Sequence, residues 1–438
     1  MLDIKFIREN IELVKETCKN KNISLDIDRL LVVDEEKRKL QVEIDNIRAK
    51  RNELNDGMKK SRTEKMISET KELKDKLGVL EEEFEVLGKE YIELMYLVPN
   101  IVSDKTPIGK SDEENVVIKT WGKLPKFDFK PKDHITLGKN LDLIDLEKGT
   151  KVHGFRGYYL KNEAAMLEMA LMMYALNKLI KKGFTPLITP TLVKEFSLYG
   201  TGFFPALKDE IFKIQDKSPE NKDDNMYLAG TSEVAILSYF SDETLEKKDL
   251  PVKVCAFSPC FRSEVGSYGK DTKGLYRIHE FMKVEQIILC ENDAKKSEIY
   301  FAEMLGIVEE ILQELGLPYR VLNICTGDIG AGKYYMNDVE VYMPSRENYG
   351  ETHSCSNLTD WQTRRLNIRY KDNDGDRKPC FALNNTVIAS PRILIPLLEN
   401  FQLADGSIKI PKVLWPYMNG TKIISLKNAK TNKKFKLF

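Results

Sequence analysis

The chain has 438 residues, too many for one small core, and its 68 Lys+Arg against 68 Asp+Glu give no overall charge to suggest a nucleic-acid or membrane partner. A 42% hydrophobic and 31% charged content excludes disordered and fibrous classes. The seven cysteines, Cys18, Cys255, Cys260, Cys290, Cys325, Cys355 and Cys380, form no CxxC pair, which excludes a standard zinc knuckle and favours reduced, cytosolic thiols. The opening MLDIKFIRENIELVKE is charged throughout, unlike a signal peptide. No apolar run approaches the roughly 20 residues that span a bilayer, so a cytoplasmic protein without a membrane partner is expected.

A helix is predicted from about Ile4 to Cys18, with Ile7, Ile11 and Val14 on one face. Heptads follow. Val33, Lys37, Leu40, Ile44, Ile47, Arg51, Leu54 and Met58 step by fours and threes, and so does a second series from Met66 through Leu73, Leu80 and Leu87 to Val98. Gly57 and Ser61 interrupt the seam between them, so the two helices fold back as an antiparallel hairpin. The second arm, roughly 33 residues, would reach about 50 Å at 1.5 Å per residue.

Pro99, Pro107 and Gly109 break the helix, and SDKTPIGKSDEEN reads as a linker, giving domains over 1–110 and 111–438. Beyond it, helices are expected over Glu163 to Lys181, Lys295 to Leu315 and Arg392 to Phe401. Strands are expected over Val252 to Phe257, Lys283 to Leu289, Val339 to Met343 and Cys380 to Asn384, and MYLAG reads as a strand leading into a TSEVAILSYF helix. Strands without regular βαβ repeats predict an antiparallel α+β fold. There is no GxGxxG and no P-loop, so a nucleotide site would have to be built differently. After Asp405 only basic charges follow, from Lys409, Lys412 and Lys422 to Lys427, Lys430, Lys433, Lys434 and Lys436; such a tail is read as a solvated end.

The most informative stretch is FRSEVGSYGKDTKGLYRIHEFMKVEQ, from Phe261 to Gln286. An Arg-x-Glu pair precedes a loop holding Gly266, Gly269, Lys270, Lys273 and Gly274. From Leu275 to Val284 an alternation of period two predicts a strand, hence two antiparallel strands joined by a basic loop. Arginines fixed on a sheet suit phosphate or carboxylate, because the guanidinium offers a planar fork of donors. A ring such as Phe281 beside them could stack a purine.

This stretch resembles motif 2 of the class II aminoacyl-tRNA synthetases, specifically the seryl-tRNA synthetases. Thr231-Ser232-Glu233 resembles that family's amino-acid-binding segment, and ETHSCSN, Glu351 to Asn357, its metal and ATP segment. LNNTVIASPRILIPLLENFQLADG resembles motif 3, with Arg392 as its arginine, and GFTPLITPTLV a weaker motif 1 with Pro190. The resemblance implies a class II antiparallel sheet flanked by helices, preceded by the coiled-coil hairpin. It also implies ATP-dependent activation of L-serine to seryl-adenylate, followed by transfer to the 3′ end of tRNA(Ser), with tRNA(Sec) as a further candidate acceptor.

By the same resemblance Arg262 would hold the α-phosphate and the amino-acid carboxylate, Arg392 the γ-phosphate, and Arg277 would add a second clamp. Ser263 and Glu264 would meet the adenine end, with Ile278, His279, Glu280 and Phe281 as its wall. Glu351, Thr352, His353 and Ser354 complete the ATP set, Glu351 and Ser354 holding Mg²⁺. Thr231, Ser232, Glu233, Glu285, Asn384 and Thr386 would bind serine. The hairpin would grip tRNA through Lys37, Arg38, Arg48, Lys50, Arg51, Lys59, Lys60 and Arg62. Motif 1 implies a homodimer. Pro391 and Pro396 depart from the motif 3 pattern and put the backbone near Arg392 in question. The alternative is an adenylate-forming paralogue that does not charge tRNA.

Overall fold

The computed structural model describes residues 1–215, 225–265 and 273–426. Gly266, Gly269 and Lys270 of the basic loop, and Lys427, Lys430, Lys433, Lys434 and Lys436 of the tail, lie outside the described residues. The chain forms two compact units, Met1–Pro99 and Asn100–Phe438. Among the described residues, no helix is long and apolar enough to cross a membrane.

In the first unit the expected leading helix is split at Asn10 into Ile4–Glu9 and Ile11–Asn20. Two 34-residue helices, Ile27–Lys60 and Glu64–Leu97, then form the hairpin. At 1.5 Å rise per residue each is about 51 Å long. Ile44, Ile47, Leu77 and Leu80 bury the seam, with Leu40, Leu73 and Phe84 packed against them. Ion pairs Arg29–Glu90 (2.7 Å), Lys76–Glu43 (2.6 Å) and Arg48–Glu81 (2.7 Å) bridge the helices across its rims. Exposed pairs of this kind contribute little each, so the apolar seam carries the hairpin. The turn is shorter than expected, because only Ser61–Thr63 is non-helical and the Thr63 hydroxyl caps the second helix at Met66 N–H. Gly57 lies inside the first helix, where a Cβ would come within 2.6 Å of Met66 Cε, so the missing side chain lets the arms meet near their tip.

In the second unit an eight-stranded sheet is built from β1 (Val116–Trp121), β2 (Thr185–Leu187), β3 (Val252–Phe261), β4 (Glu280–Cys290), β5 (Tyr319–Asn323), β6 (Tyr335–Met343), β7 (Asn348–Asn357) and β8 (Phe381–Ser390). The order is β1-β5-β6-β7-β8-β4-β3-β2, with every pairing antiparallel except β2 with β3. This is the antiparallel α+β architecture expected. Strand β4 shows why the period of two matters. Val284, Ile288 and Cys290 face a core shared with helices Glu163–Lys181 and Ala294–Leu315, whereas Ile287 and Leu289 face a second core with helix Ser232–Tyr239. Both faces are covered, so polar side chains on this strand must find partners inside the protein.

Three expectations need correction. The stretch from Ser103 to Asn115 is no free linker. Pro107 and Gly109 carbonyls accept from Thr326 and Gly327 N–H (2.9 Å each), and Lys105 carbonyl accepts from Asn323 (2.8 Å). The segment is therefore part of the second unit, and the border falls at Pro99 instead of residue 110. The strand expected from Leu275 begins at Glu280, because the Leu275 N–H and the Tyr276 carbonyl are bonded to side chains, His134 Nε2 and Arg392 Nε, instead of to a neighbouring strand. The helix expected from Arg392 begins at Leu394, which places Pro396 in its first turn, where an N–H has no intrahelical acceptor to lose. The proline is thus compatible with the helix that follows Arg392.

Candidate active site

A cleft opens on the sheet, enclosing about 530 Å³ with its solvent-filled mouth. Arg262, Glu264, Ile278, Phe281, Glu351, Thr352, His353, Ser354, Thr386 and Arg392 all line it. Arg262 follows the end of β3, and its guanidinium lies over the Phe281 ring at 5.4 Å to the centroid. Its N–H donates to the His279 carbonyl at 2.9 Å, which continues the β3–β4 ladder beyond the regular strand and holds the residue in register. Arg392 follows β8. Its Nε donates to the Tyr276 carbonyl (3.2 Å), its Nη1 to the Glu351 carbonyl (3.3 Å), and Nη1 lies 3.4 Å from the Glu351 carboxylate. Two arginines from different strands thus border one space. That arrangement suits an anion with several oxygens.

A polar pocket adjoins the arginines. Glu285, 2% exposed, accepts from the Thr386 hydroxyl at 3.2 Å and pairs with Lys283 Nζ at 2.6 Å. Lys283 also donates to the Thr231 hydroxyl at 2.6 Å. Phe281, Lys283 and Glu285 alternate along β4, so one face of one strand supplies the ring, the ammonium and the carboxylate. A β-bulge at Val284/Glu285 on the β8 side re-aims the strand at this point. Deeper, Glu233 Oε1 accepts from Asn384 (2.6 Å) and Gln362 (2.7 Å), and burial pushes its carboxyl pKa up. Ser232 begins helix Ser232–Tyr239 with its hydroxyl buried and unpartnered.

At the other end lie the oxygen-bearing residues of β6 and β7. Asp338 sits opposite Ser354 in the ladder. Burial, followed by the nearby Glu351 charge, pushes the Asp338 carboxyl well above the usual carboxylate range, and its Oδ1 has no hydrogen-bond partner. No cluster of three or more His, Cys, Asp or Glu with metal-ligand geometry occurs among the described residues. A hard ion needs none here, since Mg²⁺ binds one or two carboxylates and takes its remaining oxygens from water and phosphate. Glu351, Ser354 and the unsatisfied Asp338 oxygen fit that chemistry. His353 does not belong to it. Burial pushes its imidazole down to about 3, so it is neutral, and its Nδ1 pairs with the Thr352 hydroxyl at 2.7 Å.

Several expected residues stand outside the cleft. Ser263 turns away, its hydroxyl donating to the Asp209 carbonyl at 2.8 Å. His279 pairs with His153 at 3.2 Å and packs edge-on against Phe212. Glu280 lines a separate groove with Glu168 and Met282. Arg277 is engaged elsewhere: its Nη1 donates to Glu264 at 3.1 Å, so it fixes the glutamate, with Arg156 approaching the same carboxylate at 3.8 Å. Glu264 itself takes φ +54°, a strained left-handed conformation for a non-glycine residue. Three residues were missed. Lys283 was legible from its alternation with Phe281 and Glu285. Tyr276, 4.5 Å beneath the Arg392 guanidinium, and Arg346, 4.4 Å from the same ring, carry no local signal.

The comparisons with known proteins agree with this geometry. Residues 212–401 match the family model for the tRNA synthetase class II core domain (G, H, P, S and T), and residues 1–102 that for the seryl-tRNA synthetase N-terminal domain. The serine–tRNA ligase of Borreliella afzelii is 45% identical over 436 residues, covering 98% of this chain and all of that protein. The crystal structure of seryl-tRNA synthetase from Pyrococcus horikoshii complexed with ATP superposes with a TM-score of 0.87 at 37% identity, covering 97% of this chain and 99% of that one. The cytoplasmic serine–tRNA ligase from Naegleria fowleri in complex with AMP superposes at 0.84 and 31% identity, covering 98% and 99%. On matches that span both units from end to end, the chain belongs to the seryl-tRNA synthetases of the class II aminoacyl-tRNA ligases.

Proposed function

We propose that the cleft activates L-serine with ATP and passes the seryl group to tRNA(Ser), as a serine–tRNA ligase. The observation that carries this is the convergence of Arg262 and Arg392 on one cleft beside the Glu285–Thr386 pocket. The serine carboxylate attacks the α-phosphorus of ATP, forming the acyl–phosphate bond as pyrophosphate leaves. Arg262 neutralises the α-phosphate and the carboxylate, which otherwise repel, and stabilises the charge that develops between them. Arg392 holds the γ-phosphate and bends the triphosphate back across the sheet. Phe281 and Ile278 flank the adenine, and Glu264, fixed by Arg277, meets its edge. Glu351 and Ser354 would hold Mg²⁺, which when bound neutralises phosphate oxygens and fixes their orientation.

The serine ammonium meets Thr231 and Glu285, and the hydroxyl end is closed by Thr386. Glu233 and Asn384 bind each other beneath the pocket and hold its floor. A pocket that hydrogen-bonds a hydroxyl rejects analogues lacking it, because each buried polar group left unpaired costs roughly 1–3 kcal/mol. In the second step a ribose hydroxyl at the tRNA 3′ end attacks the adenylate carbonyl and AMP leaves. The alternative of a paralogue that charges no tRNA has no support, since the arm domain and the core are both retained in relatives named serine–tRNA ligases.

The reading extends to a cytoplasmic homodimer. Met166, Met169, Met173 and Ile180 leave an exposed apolar stripe on helix Glu163–Lys181, and Ile188 beside Pro190 is 96% exposed. An unpaired stripe of this kind is suited to a second copy; a monomer by sedimentation at micromolar concentration would contradict that role. The test of function is ATP–pyrophosphate exchange with each amino acid, followed by charging of tRNA(Ser) and tRNA(Sec). Exchange is expected with serine and to fall by at least about tenfold with alanine or glycine. Equal exchange with alanine would refute the pocket assignment.

A further inference from the structure

His134 and Glu399 form a buried pair outside the cleft, 6% and 0% exposed. The backbone N–H of Leu275 donates to His134 Nε2 at 3.3 Å. That nitrogen is therefore the acceptor, the ring proton sits on Nδ1, and Nδ1–H donates to Glu399 Oε1 at 3.1 Å. Glu399 gathers further donors from His134 N–H (3.0 Å), the Ser345 hydroxyl (2.9 Å) and Ser345 N–H (3.0 Å). Nothing in the proposed chemistry uses this carboxylate, yet burying it requires all of these bonds.

The connections close into a ring. Glu399 lies on helix Leu394–Asn400, which directly follows Arg392. Arg392 Nε donates to the carbonyl of Tyr276, the residue after the one whose N–H His134 holds. Ser345 precedes Arg346, whose guanidinium lies 4.4 Å from the Tyr276 ring. Gly274 makes the approach feasible: at φ +83° it carries no Cβ, and a Cβ there would fall 2.3 Å from His134 Nε2. The segment from Gly274 to Ile278 thus enters the cleft wall pinned on one side by Arg392 and on the other by His134.

We propose that His134, anchored by Glu399, is a positioning residue of the nucleotide site: it holds the Leu275–Ile278 wall in register with Arg392. It touches no substrate and acts through the backbone of Leu275. The inference rests on the cleft being the ATP site. Two substitutions separate positioning from simple stabilisation. His134→Asn keeps an amide N–H at the place of Nδ1, so it retains the Glu399 bond, but it is too short to reach Leu275. His134→Gln reaches Leu275 with its amide and gives up the short bond to Glu399. In calorimetric titrations of the full chain with ATP alone, His134→Asn should weaken ATP by about five- to tenfold, the worth of one hydrogen bond, while melting above His134→Gln. His134→Gln should melt lower yet recover most of the affinity. Unchanged ATP affinity in His134→Asn overturns the proposal, as does affinity that merely follows melting temperature across both variants. A parent protein that takes up no ATP sinks the nucleotide-site reading itself and the inference with it.

Discussion

Arg262→Ala is expected to lower serine-dependent ATP–pyrophosphate exchange by roughly 10²–10³-fold, the usual cost of removing one preorganised donor from a developing anion. Arg262 is set by the β3–β4 ladder and by the Phe281 ring beneath it, so its fork is aimed before substrate arrives. The loss should fall mainly on turnover, because the arginine acts most strongly where the carboxylate meets the phosphate. Arg262→Lys restores the charge without the planar fork and should recover only part of the rate. A change under tenfold in Arg262→Ala, in a protein that still binds ATP, would remove Arg262 from the chemistry.

Excising Glu36 to Leu94 and rejoining the ends should leave pyrophosphate exchange within about threefold while lowering tRNA(Ser) charging by at least about 10²-fold, the scale set when several phosphate contacts are lost together. The excision points are neighbours across the hairpin, since Lys37 Nζ lies 4.6 Å from the Tyr91 ring. The seam cluster of Ile44, Ile47, Leu77 and Leu80 lies wholly within the excised segment. Its basic residues are partly tied down: Arg48 pairs with Glu81, Lys50 with Glu69, Arg38 with Asp34 and Lys59 with Asp56. Lys59, Lys60 and Arg62 are exposed near the tip. Exposed ion pairs are weak enough to exchange their carboxylates for phosphates. Normal charging by the shortened protein would refute the arm's role in binding tRNA.

The sequence made the architecture legible wherever a periodic burial pattern writes it. The heptads of the hairpin follow directly from which face is buried, and helix Glu163–Lys181 ends where the pattern placed it. Arg262, Arg392, Glu351 and Ser354, singled out by the motifs, line one cleft. What the sequence did not disclose is fixed by contacts across the fold. Alternation between Leu275 and His279 mimics a strand, but Gly274 and the His134 bond bend the segment so that three side chains go inward. Arg277 was taken for a phosphate clamp because local pattern cannot show that Glu264 claims it. His353, placed in the ATP set by resemblance, is buried and neutral at the cleft wall, which no local pattern discloses. Ser263 and His279 face other elements, Asp209 and His153, which no local pattern connects to them.

The central claim is that one cleft joins a two-arginine phosphate site to a pocket that reads a hydroxyl. The most direct measurement is a pair of calorimetric titrations with non-hydrolysable adenylate analogues, one carrying the serine side chain and one the alanine side chain. The account predicts one seryl analogue per chain, bound at least about tenfold more tightly than the alanyl one, and loss of that preference in Thr386→Val. Equal affinity for the two analogues in the parent protein would contradict it.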